Sequence, residues 1–486
     1  MKVNSKGIAN ESFVLSFVQL FYYCSTILQA MILSRAFSKL EYGTYSQANL
    51  VVSFIAPFLL LGLSNAANYF YNQQNMDLLS RERVVKTIYT LILGLGILGG
   101  LSLLGLRHLV VMYFSNQQLL KLLYIIAFRP LLLNLLSFFQ ILYISVGKTY
   151  LLAIRNTIIS IIQLVIVILS AQYFKSAQII LLFVTFTDFF LIIIFHFYFN
   201  KHFFRLSLIV PTKASTKNIV GYALPLALST AVGTLSINMD TMMIGRFLTT
   251  ENFALYSNMA KELPFNLIIG SFAAVVLPKI VKLNSENNNV QMLRLYKLYL
   301  EFGLITTWIL VISAFVCSKE LVLVLYSAKY VKGLSIFQVY LLISSLRFTY
   351  YGALLSTIGD TKSILRYSIY SLLINFIFNI VLFHFLGMIG PAIATLLTVL
   401  SSGILQLKKG CQRFSIKLNS LFDFKYLTRF ILSSMIVVIV LLKIKYYLAF
   451  LPIILETIIL YLLSSIALVL INYKRIRTDY MELNSY

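Results

Sequence analysis

Met31-Ile-Leu-Ser-Arg35-Ala-Phe-Ser-Lys-Leu-Glu41-Tyr-Gly-Thr-Tyr45-Ser46 and Met242-Met-Ile-Gly-Arg246-Phe-Leu-Thr-Thr-Glu251-Asn-Phe-Ala-Leu-Tyr256-Ser257 read as two copies of one segment. Met31, Arg35, Tyr45 and Ser46 recur as Met242, Arg246, Tyr256 and Ser257, a constant 211 residues later. Each copy leaves one long apolar stretch and enters the next. A duplicated membrane unit is the sequence signature of a transporter made of two like lobes.

The composition fits. Of 486 residues, 59% are hydrophobic and 12% charged, about half the charge of an ordinary soluble chain at roughly 25%. The apolar runs are near 20 residues, enough to cross about 30 Å of hydrocarbon. The stretch from about Ser12 to Ser34 is too long for a signal-peptide core, and no small-residue cleavage site follows, so it reads as the first span. Hydropathy predicts fourteen spans, beginning near Ser12, Ser46, Val84, Leu119, Leu151, Ala177, Ile219, Ala254, Met292, Leu334, Ser363, Met388, Lys425 and Ala449.

The net charge of +24 raises the question of a nucleic-acid partner. Its distribution argues for a membrane instead. With the N-terminus inside, the inner segments hold 26 Lys and Arg and the outer segments 11, the asymmetry that orients a polytopic chain. The basic loops also suit anionic lipid head groups. This places both termini in the cytoplasm and the protein in the cell (inner) membrane. Cys24, Cys317 and Cys411 are odd in number and scattered, with neither disulfide nor metal spacing.

The copies pair span 1 with span 7 and span 2 with span 8, so each unit has six spans. Six is even, and the lobes are related by an axis along the membrane normal. Gly147-Lys-Thr149 mirrors Gly359-Asp-Thr361 between spans 4–5 and 10–11, and Arg155 mirrors Arg366. The expected organisation is an N-lobe over 1–217, a C-lobe over 218–410, and two appended helices over 411–486. The fold class is an all-α integral membrane protein.

Polar residues line one face of span 1 (Ser12, Ser16, Gln19, Tyr23, Thr26), of span 7 (Thr230, Thr234, Asn238, Thr241) and of span 11 (Ser368, Ser371, Asn375, Asn379). Such stripes either glue helices together or face a polar cavity. Ionisable residues at membrane depth are costly and mark function by default. Arg129 in span 4, Arg347 in span 10 and Lys261 in span 8 would make a cationic lumen, which suits an anionic substrate. Arg35 and Arg246 sit at the outer mouths of spans 1 and 7, to receive a head group or to anchor the helices. Asp240 and Glu262 are the carboxylates in position to bind a coupling ion. Asp188, Glu301 and Glu456 read as structural partners, and His196 and His384 as interfacial groups.

Gly147-Lys148-Thr149 has the tail of a phosphate loop, but Leu142 stands where its first glycine would be. No large outer loop is available for glycosyl transfer, and no metalloprotease or esterase motif occurs. The chain reads as a transporter with no cofactor and no metal site, not an enzyme.

Tyr256-Ser-Asn-Met-Ala-Lys261-Glu-Leu-Pro264, followed by Gly270 and Leu277-Pro-Lys279, resembles the eighth-helix pattern of the multidrug/oligosaccharidyl-lipid/polysaccharide exporter superfamily. Leu33-Ser-Arg35 through Glu41-Tyr-Gly-Thr-Tyr45-Ser46 resembles the first-loop pattern of its polysaccharide-repeat-unit (O-antigen type, Wzx-like) flippases, and Asp240 through Arg246 the matching seventh-helix ending. The resemblance covers spans 1 to 12. It implies a V-shaped pair of lobes working by alternating access. It also implies movement of an undecaprenyl-pyrophosphate-linked oligosaccharide to the outer leaflet for O-antigen, capsule or exopolysaccharide, possible contact with other assembly proteins, and no nucleic acid. In lipid II flippases of this superfamily a basic residue on helix 8 faces the cavity, where Lys261 stands here, and helices 13 and 14 make a lipid groove. Their basic helix 2 is absent: Pro57 matches, but Phe58 to Leu63 are apolar. The alternatives are a cation-coupled drug exporter, which calls for an acidic lumen, and a multispanning polymerase or glycosyltransferase, which calls for a catalytic outer loop.

Reporter fusions or cysteine labelling test the topology. The loops at Arg81, Arg205, Lys282 and Lys409 are expected in the cytoplasm and Lys319–Lys332 outside. A cytoplasmic Lys329 would break the repeat register.

Overall fold

In a computed structural model, described for residues 5–73 and 77–484 with side chains given for 20–73, 77–148, 150–265 and 269–483, every regular element is helical. Hydrocarbon leaves no other choice to a chain without a closed barrel, because each backbone group must find its partner within the segment. Among the described residues nine helices are long and apolar enough to span a membrane, or ten if the pair Lys39–Leu60 and Leu63–Asn72, bent by 41°, is one span. One of the nine, Thr361–Arg413, runs through two packed helices joined at Gly387.

The chain forms two compact units, Met1–Ser257 and Asn258–Tyr486. The first contains α1 (Ser5–Ala36), α2 (Lys39–Leu60), α3 (Leu63–Asn72), α4 (Leu78–Gly105), α5 (Arg107–Phe114), α6 (Leu119–Ile126), α7 (Arg129–Ser145), α8 (Thr149–Leu169), α9 (Ala177–His202) and α10 (Lys213–Phe247). The division falls inside α11 (Thr250–Met259). The second contains α12 (Phe265–Ser285), α13 (Asn289–Val316), α14 (Ser318–Tyr326), α15 (Leu334–Leu346), α16 (Ala353–Thr357), α17 (Thr361–Leu386), α18 (Gly390–Arg413), α19 (Phe424–Leu448) and α20 (Ile453–Asn484). By packing, α10 lies with α2, α3 and α5 in the first unit.

Local hydrogen bonds repeat with the sequence. Phe37 N donates to Leu33 O, and 211 residues on Leu248 N donates to Ile244 O. Ser38 caps α2 by accepting from Glu41 N at 3.1 Å; Thr249 accepts from Asn252 N at 3.3 Å at the same offset. A hydroxyl at this position satisfies one of the orphan N–H groups of a helix start, worth about 0.5–2 kcal/mol. The Gly147 and Gly359 turns also agree. Their φ values are +72° and +71°, and the following N–H reaches back five residues in both, Lys148 to Tyr143 O and Asp360 to Leu355 O. That is a helix ending that glycine alone enters without strain. At the second turn Arg413 and Ser363 hydrogen-bond the Asp360 carboxylate, holding its pKa below the usual carboxylate range.

Each unit has one enclosed span. Leu119–Ser145, through α6 and α7, and Asn289–Val316, which is α13, are each 67% buried, against 33% or less for the other spans. Around the first packs an aromatic cluster of Tyr89, Phe138, Phe139, Tyr143, Phe195 and Phe199, with His196 stacked on Tyr89. In the second, Tyr296 and Tyr299 of α13 are buried in a cluster with Phe348. The C-terminal pair is tied to its unit by ions. Arg475 of α20 bonds Glu301 of α13 at 2.6 Å, and Lys445 of α19 bonds Glu320 of α14 at 2.7 Å.

Expected spans 8 and 10 are not continuous helices. Span 8 breaks between α11 and α12 at Lys261–Pro264, and span 10 breaks after α15 at Arg347. Pro264 lacks an N–H and disfavours helical geometry in the residue before it. The second break is accommodated by α13: Tyr299 Oη accepts from Tyr350 N, Trp308 Nε1 donates to Ser345 O, and Gly303 leaves room for the Phe348 carbonyl. A Cβ at Gly303 would stand 2.5 Å from that oxygen. Gly94 of α4 has nothing within 4 Å of the same point. Gly303→Ala is therefore expected to lower the thermal midpoint in detergent, by about 1–3 kcal/mol of overpacking. Gly94→Ala should raise it, by up to about 1 kcal/mol of helix propensity.

Candidate functional site

The three deep cations of the sequence all lie at helix interruptions. Arg129 begins α7 after a two-residue turn from α6, with Pro130 next in the chain. Arg347 ends α15, and Lys261 lies in the break between α11 and α12. An interruption leaves backbone polar groups without helical partners, so it draws in side chains that hydrogen-bond.

In the first unit Arg129 is mostly buried. Its Nη1 donates to Asn49 Oδ1 of α2 at 2.8 Å, and its Nε lies 3.5 Å from Asp188 Oδ2 of α9. Arg129 and Asp188 border a polar cavity of about 470 Å³ among α1, α2, α7, α8 and α9. Tyr22, Tyr23, Thr26 and Gln29 of α1 line it, so the described part of the span 1 stripe faces a cavity. Ser12, Ser16 and Gln19 lie outside the described side chains. Arg155 of α8 also lines it. The sequence counts Arg155 among cytoplasmic loop charges; the fold encloses it, with its guanidinium 5.6 Å from the Phe195 ring centre. The signal was its repeat partner Arg366, but the register alone does not say which copy turns inward.

In the second unit Lys261 is exposed, and its Nζ donates to Asn258 Oδ1 at 3.2 Å. Glu262, the next residue, forms an ion pair with Arg347. The two helix interruptions of this unit are thus joined by opposite charges, with Lys261 beside the joint. The two units share a pattern. Each has an arginine at a helix interruption paired with a carboxylate, Arg129 with Asp188 and Arg347 with Glu262, and a second cation nearby, Arg155 or Lys261. Each cluster carries a net single positive charge.

The mouth residues are placed differently. Arg246 Nη1 donates to the carbonyls of Met112 and Tyr113 at the end of α5, with Tyr113 under the guanidinium at 5.8 Å. Cations at a helix C-terminus are favoured there by its dipole. Arg35 Nη1 donates to Met31 O in its own last turn. Asp240 is buried and accepts from Thr241 N at 2.7 Å and Tyr256 Oη at 3.0 Å. In the span 7 stripe, Thr230, Thr234 and Asn238 bond back to carbonyls four residues earlier. The Asn375 and Asn379 amides of span 11 are buried, and Asn375 faces Thr395 and Thr398 of α18, the helix-gluing use of such groups.

The second unit contains an apolar cavity of about 380 Å³. Trp308, Ile312 and Phe315 of α13, Leu342 of α15, and Met435 and Val438 of α19 line it.

This fold is that of the MOP-superfamily transporters, in a multi-pass membrane protein. The chain is similar to a lipid II flippase MurJ in an inward closed conformation, with a TM-score of 0.69 and 17% identity over 96% of this chain and 100% of that one. It is similar to a multidrug resistance MATE family transporter in an inward-facing conformation (TM-score 0.62, 14% identity, 82% and 95% covered). It is also similar to a MOP superfamily transporter from Pyrococcus furiosus described by the reverse polarity of its binding pocket (TM-score 0.58, 14% identity, 86% and 96% covered). No curated protein sequence matches the chain. The chain belongs to the polysaccharide biosynthesis protein family, whose model matches residues 32–334.

If Glu262 and Arg347 stabilise each other, replacing either with Gln lowers the thermal midpoint, and the double variant loses less than the two single losses added together. The pair is partly exposed, so the coupling is expected at about 1 kcal/mol or below. Additive losses would mean that the two interruptions are held independently.

Proposed function

We propose that the protein is a flippase that moves an undecaprenyl-pyrophosphate-linked oligosaccharide repeat unit from the cytoplasmic to the outer leaflet of the cell membrane by alternating access. The observation that carries this reading is the cationic joint of the second unit, Lys261 beside the Arg347–Glu262 pair at two helix interruptions. A pyrophosphate lipid brings about two negative charges into a low-dielectric path, and uncompensated burial of such charge costs many kcal/mol. In this reading Lys261 meets it, with Arg347 and Arg129 as the related cations and Arg35 and Arg246 as head-group contacts nearer the span ends. Asp240 and Glu262 are the proposed coupling-ion carboxylates. The apolar cavity along α13 and α19 suits a prenyl chain, which gains about 0.8 kcal/mol per buried CH₂ wherever water is excluded. Membership of a polysaccharide biosynthesis family supports a glycan as the cargo. In this reading 1–217 and 218–410 are the duplicated lobes and 411–486 an appended lipid-facing pair, with both termini cytoplasmic.

Deletion of the gene is expected to strand complete lipid-linked repeat units on the cytoplasmic leaflet. Units that reach the outer leaflet unpolymerised would point to a polymerase instead. Lys261→Ala should abolish export at normal protein level, and Lys261→Arg should keep part of it, because charge matters more here than guanidinium geometry. Full export by Lys261→Ala, Arg129→Ala and Arg347→Ala would overturn the anionic-substrate argument.

A further inference from the structure

The cavity of the first unit contains a charge that has no hydrogen-bond acceptor among the described residues. Nε and Nη1 of Arg155 are fully enclosed and have no hydrogen-bond acceptor among the described residues. An enclosed donor without an acceptor costs about 1–3 kcal/mol, more for a charged group. Asp188 is the one carboxylate among the lining residues, and Arg129 already holds it at 3.5 Å. The described lining is thus one negative charge short.

The rest of the lining narrows what brings that charge. Gln29, Gln140, Asn156 and Gln163 present side-chain amides, and Tyr22, Tyr23 and Tyr45 present rings and hydroxyls. A site built for a bare phosphate needs donors only. Amides and hydroxyls both donate and accept, which matches a ligand covered in hydroxyl groups. At about 470 Å³ the cavity lies within the range of small-molecule sites, roughly 300–1,000 Å³.

We propose that this cavity binds an acidic sugar residue of the transported glycan, with Arg155 receiving its carboxylate or phosphate and the amides and tyrosines reading its hydroxyls. The inference rests on the flippase reading for the glycan, while the need for an anion rests on the cavity alone. The translocated repeat unit is then an acidic one.

Titration of the purified full-length protein with soluble probes tests this without any transport step, so failure here is distinct from failure of the flippase reading. Glucuronate is expected to bind at least tenfold more tightly than glucose and than inorganic pyrophosphate. Arg155→Gln should abolish the preference for glucuronate over glucose, and Arg155→Lys should keep part of it. Gln163→Ala, which leaves the charge intact, should weaken glucuronate and glucose together, and so locates the site even if Arg155→Gln fails to fold. Equal binding of glucuronate and glucose would overturn the proposal. So would pyrophosphate outcompeting glucuronate, which makes the cavity a head-group site, or a preference unchanged in Arg155→Gln. Wild type that binds none of the three would leave Arg155 to water and overturn it as well.

Discussion

The structure depends on one constraint: a backbone N–H or C=O in hydrocarbon has no water to bond, and leaving it unpaired costs several kcal/mol. Regular helices meet the constraint at every residue, so an interruption inside a span survives only where something else supplies the bonds. The interruption after Arg347 shows how. A tyrosine and a tryptophan of α13 take up freed backbone groups, and Gly303 clears the space for the chain to approach. The same demand for polar partners explains why charge collects at these points. A guanidinium or ammonium that would be intolerable beside lipid is stable against a carboxylate and open backbone.

This links local geometry to chemistry. Arg129, Arg347 and Lys261 are not scattered along otherwise uniform helices; they mark the places where helices stop. Each has a nearby polar partner, and each unit keeps one more cation than anion in its cluster. A fold that interrupts its own helices inside the span thereby holds charge at fixed positions.

Much of this was legible in the sequence. The internal repeat, offset by 211 residues at the caps and 212 at the glycine turns, is a statement about local structure, and the structure repeats those hydrogen bonds because capping is local and needs only the right hydroxyl or glycine. The identity of the deep cations was also legible, because charge is rare in apolar runs. The interruptions were less so. Hydropathy does not distinguish a broken span from a continuous one, although Pro264 announces one of them. Arg155 was missed for a different reason. It lies a turn and a half inside α8, close enough to the span end to be counted as a loop charge, and only tertiary packing shows that it faces inward. The roles of Asn375 and Asn379 were open for the same reason, since a polar stripe reads alike whether it meets a helix or a cavity.

The 35-residue α10 is about 50 Å long, and it is held near both ends. Toward its C-terminus, Arg246 is bound to two carbonyls of α5, Tyr113 returns a bond to Met242 O, and Asp240 is held by Tyr256. Toward its N-terminus, Pro225 removes one rung of the ladder, leaving the Gly221 carbonyl without its helical donor. Mechanically this is a beam held at both ends: beside Pro225, Ile219 and Ala223 are buried and Tyr222 stacks on Tyr69, whereas none of the residues from 228 to 239 is buried. Load on the rod is taken up in the stretch between its two held ends, each of which keeps its register.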